Sequence, residues 1–224
     1  MPRLIALLAA VSMGLLLPRT ALADEPPLVV LVPLGHVDAD LLEEVARAIT
    51  AKVVVRTRVD PVRELPKAAF YPPRKRYRAE KLLDAVDAAL PTGAWKVVAV
   101  TQAEISTTKE DIEDWGIAGL GSIGGNTCVV STFIYRKHSK TRAALRRRVG
   151  DLAVHEFGHT LGLDHCPSAG CVMRDAKGKA LKSADSSTGL FCELCRKTLP
   201  VPVGDLLRTR PARVRTERAT RKAQ

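Results

Sequence analysis

The chain of 224 residues has one long apolar run and no second. The run is Leu4 to Leu17, and a bilayer span needs about 20 such residues. Nothing after it is long and apolar enough to cross a membrane, which excludes a polytopic membrane protein. There is no internal repeat, so a repeat architecture is excluded as well. No cysteine precedes Cys128, and the five present cannot all pair with one another. The last stretch, 208–224, holds no aromatic side chain that could stack on a base. Any nucleic-acid binding there would be sequence-tolerant, so no specific nucleic-acid partner is expected. What is present is ordinary for a globular protein: 46% hydrophobic and 26% charged residues. That composition rules out a disordered or fibrous chain.

The N-terminal run follows a positive head, Met1-Pro2-Arg3, and leads to the small-residue site Ala21-Leu22-Ala23. This is the layout of a secretory signal peptide, residues 1–23, with cleavage near Ala23. The expectation is export to a periplasm or outside the cell, with no stable membrane span afterwards. The retained-anchor reading is the weaker one, because the run is too short.

The net charge of +11 invites an anionic partner, but its distribution argues otherwise. Residues 1–23 carry +2 and residues 208–224 carry +6, leaving +3 on 24–207. The basic tail reads as a solvated, disordered end. The triplet Arg146-Arg147-Arg148 cannot share one helix face and reads as solvated surface.

Along 24–207 the pattern is β-α-β-α-β. Leu28 to Leu34 is a continuous apolar run, a buried strand. Leu41, Leu42, Val45 and Ile49 recur at helical spacing, with Asp38 as N-cap. Val53-Val54-Val55 starts a second strand, and 60–76 is a Pro- and Arg-rich loop. A helix runs from Ala79 to Leu90, ended by Pro91 and Gly93, and a strand from Trp95 to Thr101. Ile117 to Ser122 reads as a short edge strand, Cys128 to Tyr135 as a strand, and Thr141 to Leu163 as a long helix. Alternation of helices with apolar strands predicts an α/β protein with a mostly parallel sheet.

The chemistry concentrates in His155-Glu156-Phe157-Gly158-His159-Thr160-Leu161-Gly162-Leu163-Asp164-His165. Residues four apart share a helix face, so His155 and His159 can grip one metal ion. Glu156 turns partly to the same side and can reach a water without being a ligand. Gly162 lets the helix end in a left-handed turn and brings His165 back as a third ligand. Three protein ligands with an open fourth position is the catalytic form of a zinc site. Glu156 then serves as general base. Downstream, Cys166 and Cys171 are followed by Cys192 and Cys195. That C-x4-C and C-x2-C pattern suits a closed structural zinc site with four cysteine ligands. Two disulfides are the rival reading if the chain is exported, and one disulfide with a redox pair is a third. Cys128, in an apolar strand, reads as a small buried hydrophobe. Tyr135 and His138 are secondary candidates as helpers.

The pattern HExxHxxGxxHCx4CxM…CxxC resembles the archaemetzincins, a family of metzincin zinc peptidases. LVVLVPLGHVD, YPPRKRYRAEKLL and VVAVT lie where such proteins carry similar stretches, so the likeness covers roughly 28–200. The resemblance implies a metzincin-type α+β catalytic domain over 24–207. Its parts would be a twisted, mostly parallel sheet with an edge strand, an active-site helix and a small zinc-bound C-terminal subdomain. It implies a Met-turn at Met173 and a second, structural zinc in region 166–195, giving two Zn2+ per chain. The implied function is a zinc peptidase, in some form an aminopeptidase; with the signal segment the expectation is an exported monomer acting on a peptide or protein substrate. The alternative is a catalytically weak zinc-binding module of the same fold. Met173 is followed by Arg174-Asp175, without the Tyr that assists the oxyanion in some metzincins.

Overall fold

The computed structural model describes residues 25–208. The signal-peptide segment, and the tail apart from Arg208, lie outside the described residues. The elements in chain order are β1 (Leu28–Leu34), α1 (Ala39–Thr50), β2 (Arg56–Val59), β3 (Phe70–Tyr71), β4 (Arg76–Arg78) and α2 (Ala79–Asp87). Then come β5 (Lys96–Thr101), β6 (Ile105–Lys109), β7 (Ile112–Ile117), β8 (Gly119–Gly121), β9 (Thr127–Ser131), α3 (Phe133–His138) and α4 (Arg142–Thr160). The C-terminal part carries α5 (Ala180–Ser186), α6 (Glu193–Thr198) and α7 (Val201–Gly204). No helix among the described residues is long and apolar enough to cross a membrane.

The main sheet has the order β2-β1-β5-β9-β8. The first four strands are parallel and β8 is an antiparallel edge strand. Its central strands are apolar on both faces, as a doubly covered sheet requires. Val29, Leu31, Val98, Val100, Cys128 and Val130 point to one side, where they join residues of α1 and α4 in one core. Val30, Val32, Val97, Ala99 and Val129 point to the other and pack with Leu82, Leu83 and Val86 of α2. This period of two puts Cys128 fully inside the first core.

A second, four-stranded sheet has the order β3-β4-β6-β7. Its hairpin β6–β7 falls in a segment without a strand assignment in the sequence reading. Ser106 to Lys109 and Ile112 to Trp115 are mostly polar, and much of the hairpin is exposed, so no apolar alternation marks it. Other boundaries shift for local reasons. The second strand begins at Arg56, not Val53, because Leu28 registers with Arg56 while Val53 bridges Leu207. Residues 60–76 are not one loop but hold two short 3-10 turns and most of the β3–β4 pair. Helix α2 closes at Asp87. The strand expected over Cys128 to Tyr135 stops at Ser131, whose hydroxyl accepts from the Phe133 amide and donates to the Ala103 carbonyl, and α3 starts.

Candidate active site and metal centres

Helix α4 carries the site. Thr141 caps its start, the hydroxyl accepting from the Ala144 amide at 3.1 Å. At its end Gly162 takes φ +98°, a conformation that favours glycine. The Gly162 amide donates to the His159 carbonyl and the Leu163 amide to the Gly158 carbonyl. Those two bonds form a Schellman close and satisfy carbonyls that the helix end would leave bare. The reversal brings His165 beside the helix. Its ring centroid lies 5.4 Å from that of His155 and 5.0 Å from that of His159.

The imidazoles are oriented from behind. His155 Nδ1 donates to the Val172 carbonyl and His159 Nδ1 to the Leu163 carbonyl, each at 2.7 Å. Those bonds fix the tautomers and leave both Nε2 atoms as lone pairs. The two Nε2 atoms face each other at 3.2 Å. Neutral rings so arranged cannot hydrogen-bond to one another, so the pair calls for a cation. A tetrahedral zinc with bonds near 2.05 Å would hold two nitrogens about 3.3 Å apart. Burial, then the neighbouring His159 charge, pushes His155 down to about 4, which keeps the ring neutral and ready to ligate. Burial also lowers His159. The possible donor atoms of His155, His159 and His165 all lie within 4.8 Å of one another.

Glu156 is buried against the edge strand, and burial pushes its carboxyl up to about 8. A cation at the imidazoles would draw it back down. Two glycines of β8 permit this approach. A Cβ on Gly119 would stand 2.5 Å from Glu156 Oε1, and one on Gly121 would stand 2.5 Å from the Glu156 carbonyl oxygen. Sequence reasoning missed their role, although the clustering of glycines at 119–125 was visible. Beneath the helix, Met173 is fully buried, and a Cβ on Gly158 would meet its Sδ at 2.4 Å. Tyr135 is buried and lines the same cleft as Glu156, without a hydrogen bond to its hydroxyl among the described residues. His138 sits exposed at the rim. The cleft measures about 750 Å3 and runs between the β6–β7 hairpin, β8, α3, α4 and α5.

A second donor group lies next to the first. The sulfurs of Cys166, Cys171, Cys192 and Cys195 lie within 4.8 Å of one another, and all four are free thiols. The separations are 3.6 Å for Cys166–Cys192, 3.6 Å for Cys171–Cys195 and 3.7 Å for Cys192–Cys195. A tetrahedral site with zinc–sulfur bonds of 2.3 Å would space them about 3.8 Å apart. At Cys192 burial opposes ionisation, but bonds from the Cys195 backbone, Ser168 and Cys166 outweigh it and hold the thiol down to about 6. Burial pushes the Cys171 and Cys195 thiols the other way, up, so a bound cation would be needed to hold the set as thiolates; the tetrahedral spacing of the four sulfurs is what fits a metal. The Cys166 amide donates to the Met173 carbonyl at 2.8 Å, which ties this knot to the segment under α4.

A three-layered α/β core, an antiparallel edge strand over a histidine-bearing helix and a cysteine knot beside it define a zinc-metallopeptidase class of protein. Residues 51–200 match the peptidase family M54, and the chain belongs to that family. The archaemetzincin of Halobacterium salinarum is 28% identical over 176 residues, which span 75% of this chain and 97% of that protein. The archaemetzincin structure from Archaeoglobus fulgidus, complexed with malonate, is 25% identical with a TM-score of 0.64, covering 76% of this chain and 98% of that one. The archaemetzincin of Methanopyrus kandleri shares the fold at 23% identity, TM-score 0.65, over 77% and 93% of the two chains. The chain is an archaemetzincin-like zinc metallopeptidase.

Proposed function

We propose that the chain hydrolyses peptide bonds in the cleft with Glu156 as general base, His155, His159 and His165 holding a catalytic zinc, and the four cysteines holding a structural one. The facing lone pairs of His155 and His159, 3.2 Å apart, carry this reading. When bound, zinc supplies Lewis acidity that makes water a nucleophile near neutral pH and steadies charge on the carbonyl oxygen. The chain's own residues do the rest. The Val172 and Leu163 carbonyls hold the two rings in ligating orientation. Glu156, walled in by Gly119 and Gly121, takes a proton from water and returns it to the leaving amine. The edge strand β8 offers backbone for pairing with an extended substrate.

An aminopeptidase needs an anion for the substrate's free amine. Asp175 supports that finer reading: it lines the cleft, and its carboxylate is held low by a bond from the Lys177 amide. Residues 1–23 are read as an export signal, so N-terminal sequencing of the secreted or periplasmic protein should begin near Asp24. A panel of blocked and free-amine peptides tests the function. Hydrolysis should vanish with a chelator and return with zinc. Hydrolysis indifferent to chelation would end this reading.

A further inference from the structure

The triplet Arg146-Arg147-Arg148 is not free surface. Arg146 reaches Glu44 on α1 at 3.5 Å. Arg147 and Arg148 both turn to one carboxylate, Asp185 on α5. Arg148 Nε and Nη2 donate to Oδ1 and Oδ2 at 2.9 and 2.8 Å, and Arg147 Nη2 donates to Oδ1 at 2.9 Å. Arg147 Nη1 also donates to the Ala184 carbonyl at 2.8 Å. Arg148 Nη1 donates to the His138 carbonyl and the Ser139 hydroxyl, both at 3.1 Å. One guanidinium therefore joins α3, α4 and α5, and all three helices line the cleft. The Arg148 side chain is 13% exposed but Asp185 is 47% exposed, so added salt reaches and screens this fork-to-fork pair.

Residues 174–187 form a loop with pinned ends. The Thr188 amide donates to the Gly170 carbonyl and the Val172 amide to the Leu190 carbonyl, each at 2.9 Å and each beside Cys171. Between the pins, Gly178 packs on Trp115 of β7, where a Cβ would stand 3.1 Å from the indole. Helix α5 then runs back along the cleft and presents small side chains to it, Ala180, Ser183 and Ala184. Ala184 is the one buried residue of α5, with Ala180 and Leu181 partly buried against the same core, so apolar packing of this helix is modest. The charge clamp on Asp185 adds a directional tie to that packing.

We propose that α5 is a wall of the substrate pocket and that Asp185, acting through Arg147 and Arg148, is a positioning residue that sets the room for a large apolar side chain of a peptide. The proposal rests on the peptidase reading above. The small residues of α5 line the cleft together with Leu152 and Ile134, apolar side chains that pack on the same core as Ala184. Asp185 does not touch reacting atoms, so its loss shows in binding and not in the chemical step.

The test uses the zinc-loaded Glu156→Gln chain, which binds without cleaving, titrated with blocked neutral peptides carrying Phe or Gly and followed by Trp115 fluorescence. Asp185→Ala should weaken binding of the Phe peptide about five- to tenfold, and Asp185→Glu should recover it to within about twofold. Raising salt should weaken the parent and leave Asp185→Ala unmoved. In the active chain the same substitution should raise KM by that factor with kcat within about twofold. Unchanged affinity in Asp185→Ala, or an Asp185→Glu chain no better than it, overturns the proposal. Should Asp185→Ala fail to fold, Asp185→Asn and the salt titration of the parent carry the test, and salt-indifferent binding overturns it. If no form hydrolyses peptide yet Asp185→Ala still weakens binding, the peptidase reading fails and the wall stands.

Discussion

Replacing Gly119 by alanine perturbs the site without touching a ligand. The added methyl would stand 2.5 Å from Glu156 Oε1, 2.6 Å from Cγ and 2.7 Å from Cδ. Ordinary contact begins near 3.5 Å, so the carboxylate arm must recede by about 1 Å. It cannot swing into solvent, because Glu156 is 5% exposed between β8 and the α4 backbone. Overpacking of this kind costs about 1–3 kcal/mol of stability. Misplacing a catalytic group by about 1 Å costs on the order of 10²-fold in rate. Gly119→Ala should therefore fold with a lowered unfolding midpoint, keep its zinc and lose about 10²-fold in kcat. The assay is steady-state peptide hydrolysis beside metal analysis and thermal unfolding. A variant with full kcat would refute the reasoning, because it would show that the position of Glu156 against the edge strand does not matter.

Three further outcomes follow from the geometry. Cys171→Ser should remove one zinc per chain and lower stability by more than about 4 kcal/mol, read by metal analysis and denaturant unfolding; unchanged metal content would sink the four-cysteine site. Burial pushes the Asp151 carboxyl up to about 6 from 3.8, so between those values the native chain keeps a proton that the unfolded chain has released. Stability therefore falls as pH rises through that window, and Asp151→Asn should gain about 1–3 kcal/mol at pH 7.5 and nothing near pH 4; equal gains at both pH values would contradict this. Gly162→Ala, forced to hold φ +98°, should cost about 1–2 kcal/mol and weaken zinc affinity through His165.

Much of this arrangement was legible in the residues, for identifiable reasons. The core strands β1, β5 and β9 are apolar on both faces and announce themselves as continuous runs. The spacing of His155, His159 and His165 carries the donor triad because helical geometry and one left-handed glycine leave little choice. The hairpin β6–β7 escaped because a solvent-facing strand pair needs no hydrophobic signature. The wall formed by α5 escaped because it depends on contacts between Asp185 and arginines 37 and 38 positions away. A triplet of arginines looks like solvated surface until a distant carboxylate is placed beside it. Gly119 and Gly121 were visible as glycines, but their purpose, admitting Glu156, belongs to a neighbour far along the chain.

The central claim is that Glu156 moves the proton at a zinc held by three histidines. Glu156→Gln keeps the size and burial of the side chain and removes its basicity. Metal analysis of the purified variant should find the zinc content of the parent, while peptide hydrolysis falls by about 10²- to 10⁴-fold. Hydrolysis at the parental rate with the same zinc content would contradict the account.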